Sequence, residues 1–171
     1  MKDNFEMIID SLEQDEPLVL DNHIYAHELI CDEDLQQSIF GKLKFDDFKF
    51  INIDFTGSYF VNCKFKRCNF TDVTFRKSEC WNCSFLDCKF ENCNITRASF
   101  NEGEFKKCSF TNVNLRASDF SELDFIETKF YESNLELIGG YSTRVWESDK
   151  FIKVENSFSL ENILKDISSE N

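Results

Sequence analysis

VNCKFKRCNFTDVTFRKSECWNCSFLDCKFENCNI, residues 61–95, sets Phe65, Phe70, Phe75, Phe85 and Phe90 at one fixed interval, with Cys80 and Ile95 holding the same phase. The rule extends in both directions. Every position divisible by five belongs to one ladder: Phe40, Phe45, Phe50, Phe55, Phe60, Phe65, Phe70, Phe75, Cys80, Phe85, Phe90, Ile95, Phe100, Phe105, Phe110, Leu115, Phe120, Phe125, Phe130 and Leu135. An α-helix would carry residues five apart about 140° further round its axis, so this ladder would wander over the whole helix surface. A flat strand would send successive members to opposite faces. The period therefore belongs to a repeated turn of chain.

A second ladder lies two residues before each member of the first and is small or apolar, as at Cys63, Cys68, Val73, Ser78, Cys83, Cys88, Cys93 and Ala98. The remaining positions are mostly Lys, Asp, Asn, Thr, Glu and Arg. Two residues of every five point inward and three outward. The pattern resembles the pentapeptide-repeat family, whose unit runs small residue, polar residue, Leu or Phe, then two polar residues. The resemblance covers residues 38–137 and implies a mainly β fold, a right-handed quadrilateral parallel β-helix with one unit per side and four units per coil. Other repeat classes have other periods. Residue n then lies beneath residue n+20, and the regular part makes about five coils that share their stability between neighbours.

Folding the sequence at twenty puts Cys80 between Phe60 and Phe100, where a thiol leaves space for most of a ring. A local void or an inward shift by a neighbour is expected there. Trp81 follows in an outward position, either folded over this weak place or facing solvent as a recognition residue.

The chain divides into an acidic N-terminal part (1–37), the repeats (38–137) and a closing segment (138–171). Residues 3–14 read as a short amphipathic helix through Phe5, Ile8, Ile9 and Leu12, stopped by Pro17. Residues 18–37 read as an imperfect first coil or cap, because His23, Glu28 and Glu33 fall at inward positions. After Leu135, Gly139-Gly140 breaks the pattern, and Ser159 is placed to cap a helix carrying the stripe Leu160, Ile163, Leu164 and Ile167. That helix either plugs the prism or, as the resemblance implies, joins two chains in a homodimer.

The eight cysteines include Cys80-x-x-Cys83, a metal-like or redox-like spacing. The phase of the repeat explains it: both residues point inward on adjacent units, and buried thiols are inert. His23 and His27 stand four apart but lack the Glu of a zinc-hydrolase motif. Neither a phosphate loop nor a carboxylate pair for acid/base chemistry is present. The expectation is a protein that is not an enzyme and takes no cofactor or metal. The start MKDNFEMIID lacks a basic region and an apolar run, which with free thiols points to the cytoplasm. No membrane association is expected.

Net charge is −13, but residues 1–39 hold 11 acids and one Lys, whereas residues 40–137 hold 15 acids and 14 bases. The prism is close to neutral, and direct nucleic-acid binding does not fit it. The resemblance to bacterial quinolone-resistance proteins implies a second partner class, DNA gyrase or topoisomerase IV, bound by mimicry of duplex DNA. Duplex DNA carries about one charge per 1.7 Å, so a mimic needs long acidic stripes. Within the repeats acid gathers in the last coil, at Asp119, Glu122, Asp124, Glu127, Glu132 and Glu136. The primary reading is a non-catalytic protein-interaction module whose candidate surface comprises Tyr59, Val61 and Trp81 on one side, the last-coil acids, and Leu86 and Ile126 on another side.

Overall fold

Each ladder residue lies in register with the one twenty positions away, as in Phe45↔Phe65, Phe65↔Phe85 and Phe85↔Phe105. The computed structural model describes residues 18–147, 150–154 and 157–169; the helix expected at 3–14 lies outside them. The first face stacks Val19–Asp21, Ile39–Gly41, Tyr59–Val61, Glu79–Trp81 and Ser99–Asn101. The second runs from Ile24–Ala26 up to Thr143–Glu147, and the third from Leu29–Cys31 up to Lys129–Tyr131. On the fourth, single bridges join Asp34, Asp54, Thr74, Asn94, Asn114 and Asn134 in sequence. The chain is a mainly β parallel solenoid with a short C-terminal helix.

The corners carry what the ladders do not show. From Asn22 to Ser142, the residue two after each ladder position has φ between 50° and 69°, Gly57 included. This left-handed conformation suits Asn, Asp and Gly. Lys42, Arg67, Ala117 and Leu137 adopt it all the same. Lys42, Arg67 and Ala117 are each held by their own N–H donating to the coil above, for example Lys42 to Val61 O and Arg67 to Leu86 O, both at 2.8 Å, whereas the Leu137 N–H donates to Glu161 Oε2 of the C-terminal helix at 3.2 Å. Where the corner residue is Asn or Asp the side chains stack too: Asn82 Nδ2 donates to Asn62 Oδ1 at 2.7 Å, and Asn112 Nδ2 to Asn92 Oδ1 at 2.8 Å.

Residues 18–37 form a coil below the five regular ones, paired through Val19↔Ile39, Ile24↔Lys44 and Leu29↔Lys49. His23, Glu28 and Glu33 stay only half-buried, yet their carbonyls accept from Lys44, Lys49 and Asp54 N–H. Backbone pairing sustains the coil where inward side chains fit poorly.

Inside the prism, rings of one column lie flat on one another: Phe50–Phe70, Phe70–Phe90, Phe90–Phe110 and Phe110–Phe130 have centroids 4.6–4.9 Å apart and planes within 10°. Adjacent columns meet at steep angles, as in Phe65–Phe70 (65°) and Phe105–Phe110 (71°). Offset stacks and edge contacts are the two favourable arrangements of ring quadrupoles. Cys80 interrupts the first column, buried in register between Phe60 and Phe100. Cys80→Phe is expected to complete the stack and stabilise the fold by about 0.5–2 kcal/mol, as filling a void does. A thermal-unfolding comparison checks it; an unchanged or lower midpoint means that the neighbours have already closed the gap.

The small-residue ladder has a second duty besides filling. Cys63, Cys68, Cys83, Cys88, Cys93 and Cys108 each direct Sγ at a ladder carbonyl 23 residues earlier, at 3.3–3.5 Å. Ser58 and Thr128 donate in the same way to Leu35 O (2.7 Å) and Phe105 O (2.9 Å). A small side chain with a donor tightens the link between coils. Gly103 has no room for any side chain, since a Cβ there would stand 2.1 Å from Cys83 O.

At the C-terminal end the register persists to Phe125↔Val145, after which Lys150–Val154 turns back antiparallel on Thr143–Glu147. The helix Ser157–Ser169 then lies across the opening, starting before the expected cap at Ser159. Leu160 and Leu164 are fully buried and Ile167 nearly so. Gly139-Gly140 does not end the repeat: Gly140 takes the ladder position above Phe120, and a Cβ on it would meet Leu160 Cδ2 at 2.7 Å. The helix supplies the apolar group that a ladder ring supplies elsewhere. Its stripe is spent on plugging its own prism.

Candidate functional site

Three of every five side chains project from the prism, so its sites are defined by which columns coincide on a face. On the first face Val19, Ile39 and Tyr59 are in register, and Val61 lies in register with Trp81. Tyr59 and Val61 share a strand and a side, which joins the two columns into one band. All five are exposed, from 38% at Val61 to 65% at Val19. Trp81 does not cover Cys80; it stands outward at 43% exposure, and its indole N–H donates to Glu79 Oε2 at 3.2 Å. Tyr59, Val61 and Trp81 are thus brought together, and folding the first coil adds Val19 and Ile39. Leu86 and Ile126 are half-buried on the second face.

The last-coil acids encircle the prism. Asp119 is on the first face and Asp124 on the second, while Glu122, Glu127 and Glu132 occupy successive corners. Bases from neighbouring coils meet three of the six: Arg144 contacts Asp124 at 2.5 Å, Arg116 contacts Glu136 at 3.1 Å, and Lys107 contacts Glu127 at 4.0 Å. The Asp124 carboxylate beside it holds the Arg144 guanidinium above its ordinary pKa. Such pairs contribute little stability at a surface, but they cancel charge. Glu102, Glu104 and Glu122 line an open hollow of about 620 Å³ with Asp124 and Arg144.

Of the eight cysteines only Cys31 is exposed. The adjacent Cys83 thiol and burial push Cys63 up, Cys88 and burial do the same to Cys68, and burial first of all raises Cys93 to about 12. One rapidly reacting thiol is expected with a maleimide or disulfide reagent near pH 8, and eight after denaturation. Several fast thiols in the folded chain would contradict the buried ladder. These raised values also fix a pH dependence. Cys63, Cys68 and Cys93 keep protons in the folded chain that unfolded thiols release above their ordinary value of 9.0. Their contribution is therefore complete below pH 9 and declines as pH climbs toward 12, by about 1.4 kcal/mol per pH unit for each thiol. Urea unfolding across that range measures it.

The His23 ring lies tilted against Tyr25, with centroids 4.4 Å apart, while His27 Nδ1 lies 2.9 Å from Asp47 Oδ2, so the two histidines do not converge. Among the described residues no group of three or more His, Cys, Asp and Glu side chains is placed to share a metal ion. No described helix is long and apolar enough to cross a membrane.

A four-sided solenoid with this donor ladder and ring core defines a class of repeat protein. Family models agree: one for the pentapeptide repeat region matches residues 63–138, and one for pentapeptide repeats matches residues 38–76. The chain belongs to the pentapeptide-repeat family. No curated protein matches it. Among solved structures it is similar to a pentapeptide repeat protein from the Arabidopsis thaliana thylakoid lumen, with 24% identity, a TM-score of 0.49, and 56% of this chain covering 66% of that one. It is also similar to HetL, involved in heterocyst differentiation regulation in the cyanobacterium Nostoc sp. strain PCC 7120, at 14% identity and TM-score 0.39 over 75% of this chain and 64% of that one. QnrB1, a plasmid-mediated fluoroquinolone resistance protein, shows 18% identity and TM-score 0.30 over 75% and 72% of the two chains. The chain spans just under two thirds of the length of the first two.

Proposed function

We propose that the chain is a non-catalytic protein-interaction module of the cytoplasm. One observation carries this reading: the inward residues are consumed by ring stacks and carbonyl contacts, while the first face turns five large apolar side chains outward. A filled prism with an apolar outer band suits recognition of another surface better than enclosure of a small substrate. The full chain, immobilised and exposed to an extract of its native cell, is expected to retain a protein that re-forms a stoichiometric complex when both are purified. Turnover of a small molecule without any such complex would overturn the proposal.

A second reading, a DNA-mimicking binder or modulator of DNA gyrase or topoisomerase IV, draws on the acid of the last coil. Against it stand the encirclement of the prism by those acids and their pairing with Arg116, Arg144 and Lys107. Titrating the protein into a gyrase supercoiling assay decides this: inhibition at micromolar concentration, lost when Glu122 and Glu132 are neutralised, supports mimicry, and no effect rejects it. A homodimer at that end would draw on its exposed apolar side chains, among them Leu137, Tyr141, Phe151 and Ile152, because Leu160, Leu164 and Ile167 of the helix are already buried. Mass in solution separates the two states.

A further inference from the structure

The apolar band of the first face crosses four coils, from Val19 through Ile39, Tyr59 and Val61 to Trp81. Scattered exposed apolar residues are ordinary, but a contiguous band containing Tyr and Trp is the composition of a binding hot spot. Two cations border it. Lys77 and Arg97 occupy successive left-handed corners where the fourth face meets the first, twenty residues apart and therefore one above the other. Both are exposed, and neither has a carboxylate partner among the described residues. Stacked like charges are unfavourable until an anion lies between or beside them. The acids of the face do not meet that need: Asp21 lies 3.5 Å from Lys42, Glu79 is turned onto the Trp81 indole, and Asp119 accepts from Ser121 Oγ at 3.0 Å.

Geometry narrows the occupant. Coils rise by about 4.8 Å, and the turns of an α-helix by about 5.4 Å, so a helix laid along the prism axis meets one coil per turn for three turns with little drift. Its i, i+3/i+4 and i+7 side chains would fall on successive rows of the band. We propose that the outer first face docks an amphipathic helix of a partner protein, with its apolar stripe along Val19, Ile39, Tyr59, Val61 and Trp81 and its acidic flank on Lys77 and Arg97. The proposal rests on the interaction reading above and gives it a location and a partner chemistry. Electrostatic complementarity then selects the orientation as well as the partner.

Selection from a displayed library of helix-forming 20-residue peptides tests it on the full chain. Enriched peptides are expected to carry one apolar stripe with Asp or Glu along one flank. Their affinity should fall about tenfold or more in Trp81→Ser, a loss typical of a hot-spot residue, and similarly in the Lys77→Glu/Arg97→Glu variant. That charge-reversed variant should in turn prefer the same peptides with Lys on the flank. Circular dichroism and unfolding midpoints establish that the variants remain folded. Enrichment of basic flanks, affinity indifferent to both variants, or no enrichment at all would overturn the proposal. A native partner that cross-links only to other faces would also overturn it, while leaving the interaction reading intact.

Discussion

Phe85→Ala is expected to cost about 3–5 kcal/mol of folding free energy, the range for removing a ring from a core that cannot collapse. The Phe85 ring lies flat between Phe65 and Phe105, with centroids at 4.7 and 4.6 Å, and meets Phe90 and Phe100 at 5.8 and 6.2 Å. Removal would strip contacts above, below and beside it. The coils cannot slide together to fill the space, because backbone bonds set their separation along every face. Denaturant unfolding measures the loss directly, and the melting midpoint should fall by roughly 2–4 °C per kcal/mol for a chain of this size. Leu86→Ala, one residue on and half-buried, should cost far less. Equal losses at the two positions would refute the ring-stack account of stability.

Leu164→Asp is the second large effect expected. Leu164 is fully buried beneath the C-terminal helix. A carboxylate there must be buried without a partner or must lift the helix away; either cost is about 3 kcal/mol or more. The helix is tied down by few polar contacts: Phe130 N–H donates to Ser168 Oγ at 3.1 Å, Leu137 N–H to Glu161 Oε2 at 3.2 Å, and Lys129 Nζ to Ile167 O. Lifting is therefore the expected outcome. It would bare Phe120 and Phe130 at an open coil end, which invites self-association. Limited proteolysis should cut within residues 157–169, and light scattering should show higher mass. A monomer with unchanged protease resistance would show that the helix does not protect the coil end. Asp166→Ala, on the exposed side of the helix, serves as the control.

Much of this architecture is legible in the chain because buried Phe leaves few alternatives. One phase of the ladder locates the core from Phe40 to Leu135, and the buried cysteines other than Cys80 then fall into place in the small-residue ladder beside it. The corners are less legible. Asn and Asp announce a left-handed turn, but Lys42 and Arg67 do not, since their conformation is imposed by the coil above. The first coil is blurred for a related reason: His23, Glu28 and Glu33 offend the inward pattern, yet their backbone bonds are indifferent to it. Gly140 misleads in the opposite sense, reading as a break where it makes room for Leu160. The outward band was only partly visible through Tyr59, Val61 and Trp81. Val19 and Ile39 join it once the first coil is known to be in register. Pairing of the acids with Arg116 and Arg144 depends on neighbours twenty residues away, which charge counts along the chain do not reveal.

The left-handed corners make length a quantised property of this molecule. Inserting or losing five residues would advance everything downstream by a quarter turn, sending each outer column to a different side of the prism and separating the plug from the opening that it fits. A change of twenty preserves every bearing and merely lengthens or shortens the rod by one storey. Duplication or deletion of whole coils is thus the one kind of growth that leaves both ends, and any docking face between them, aligned as before.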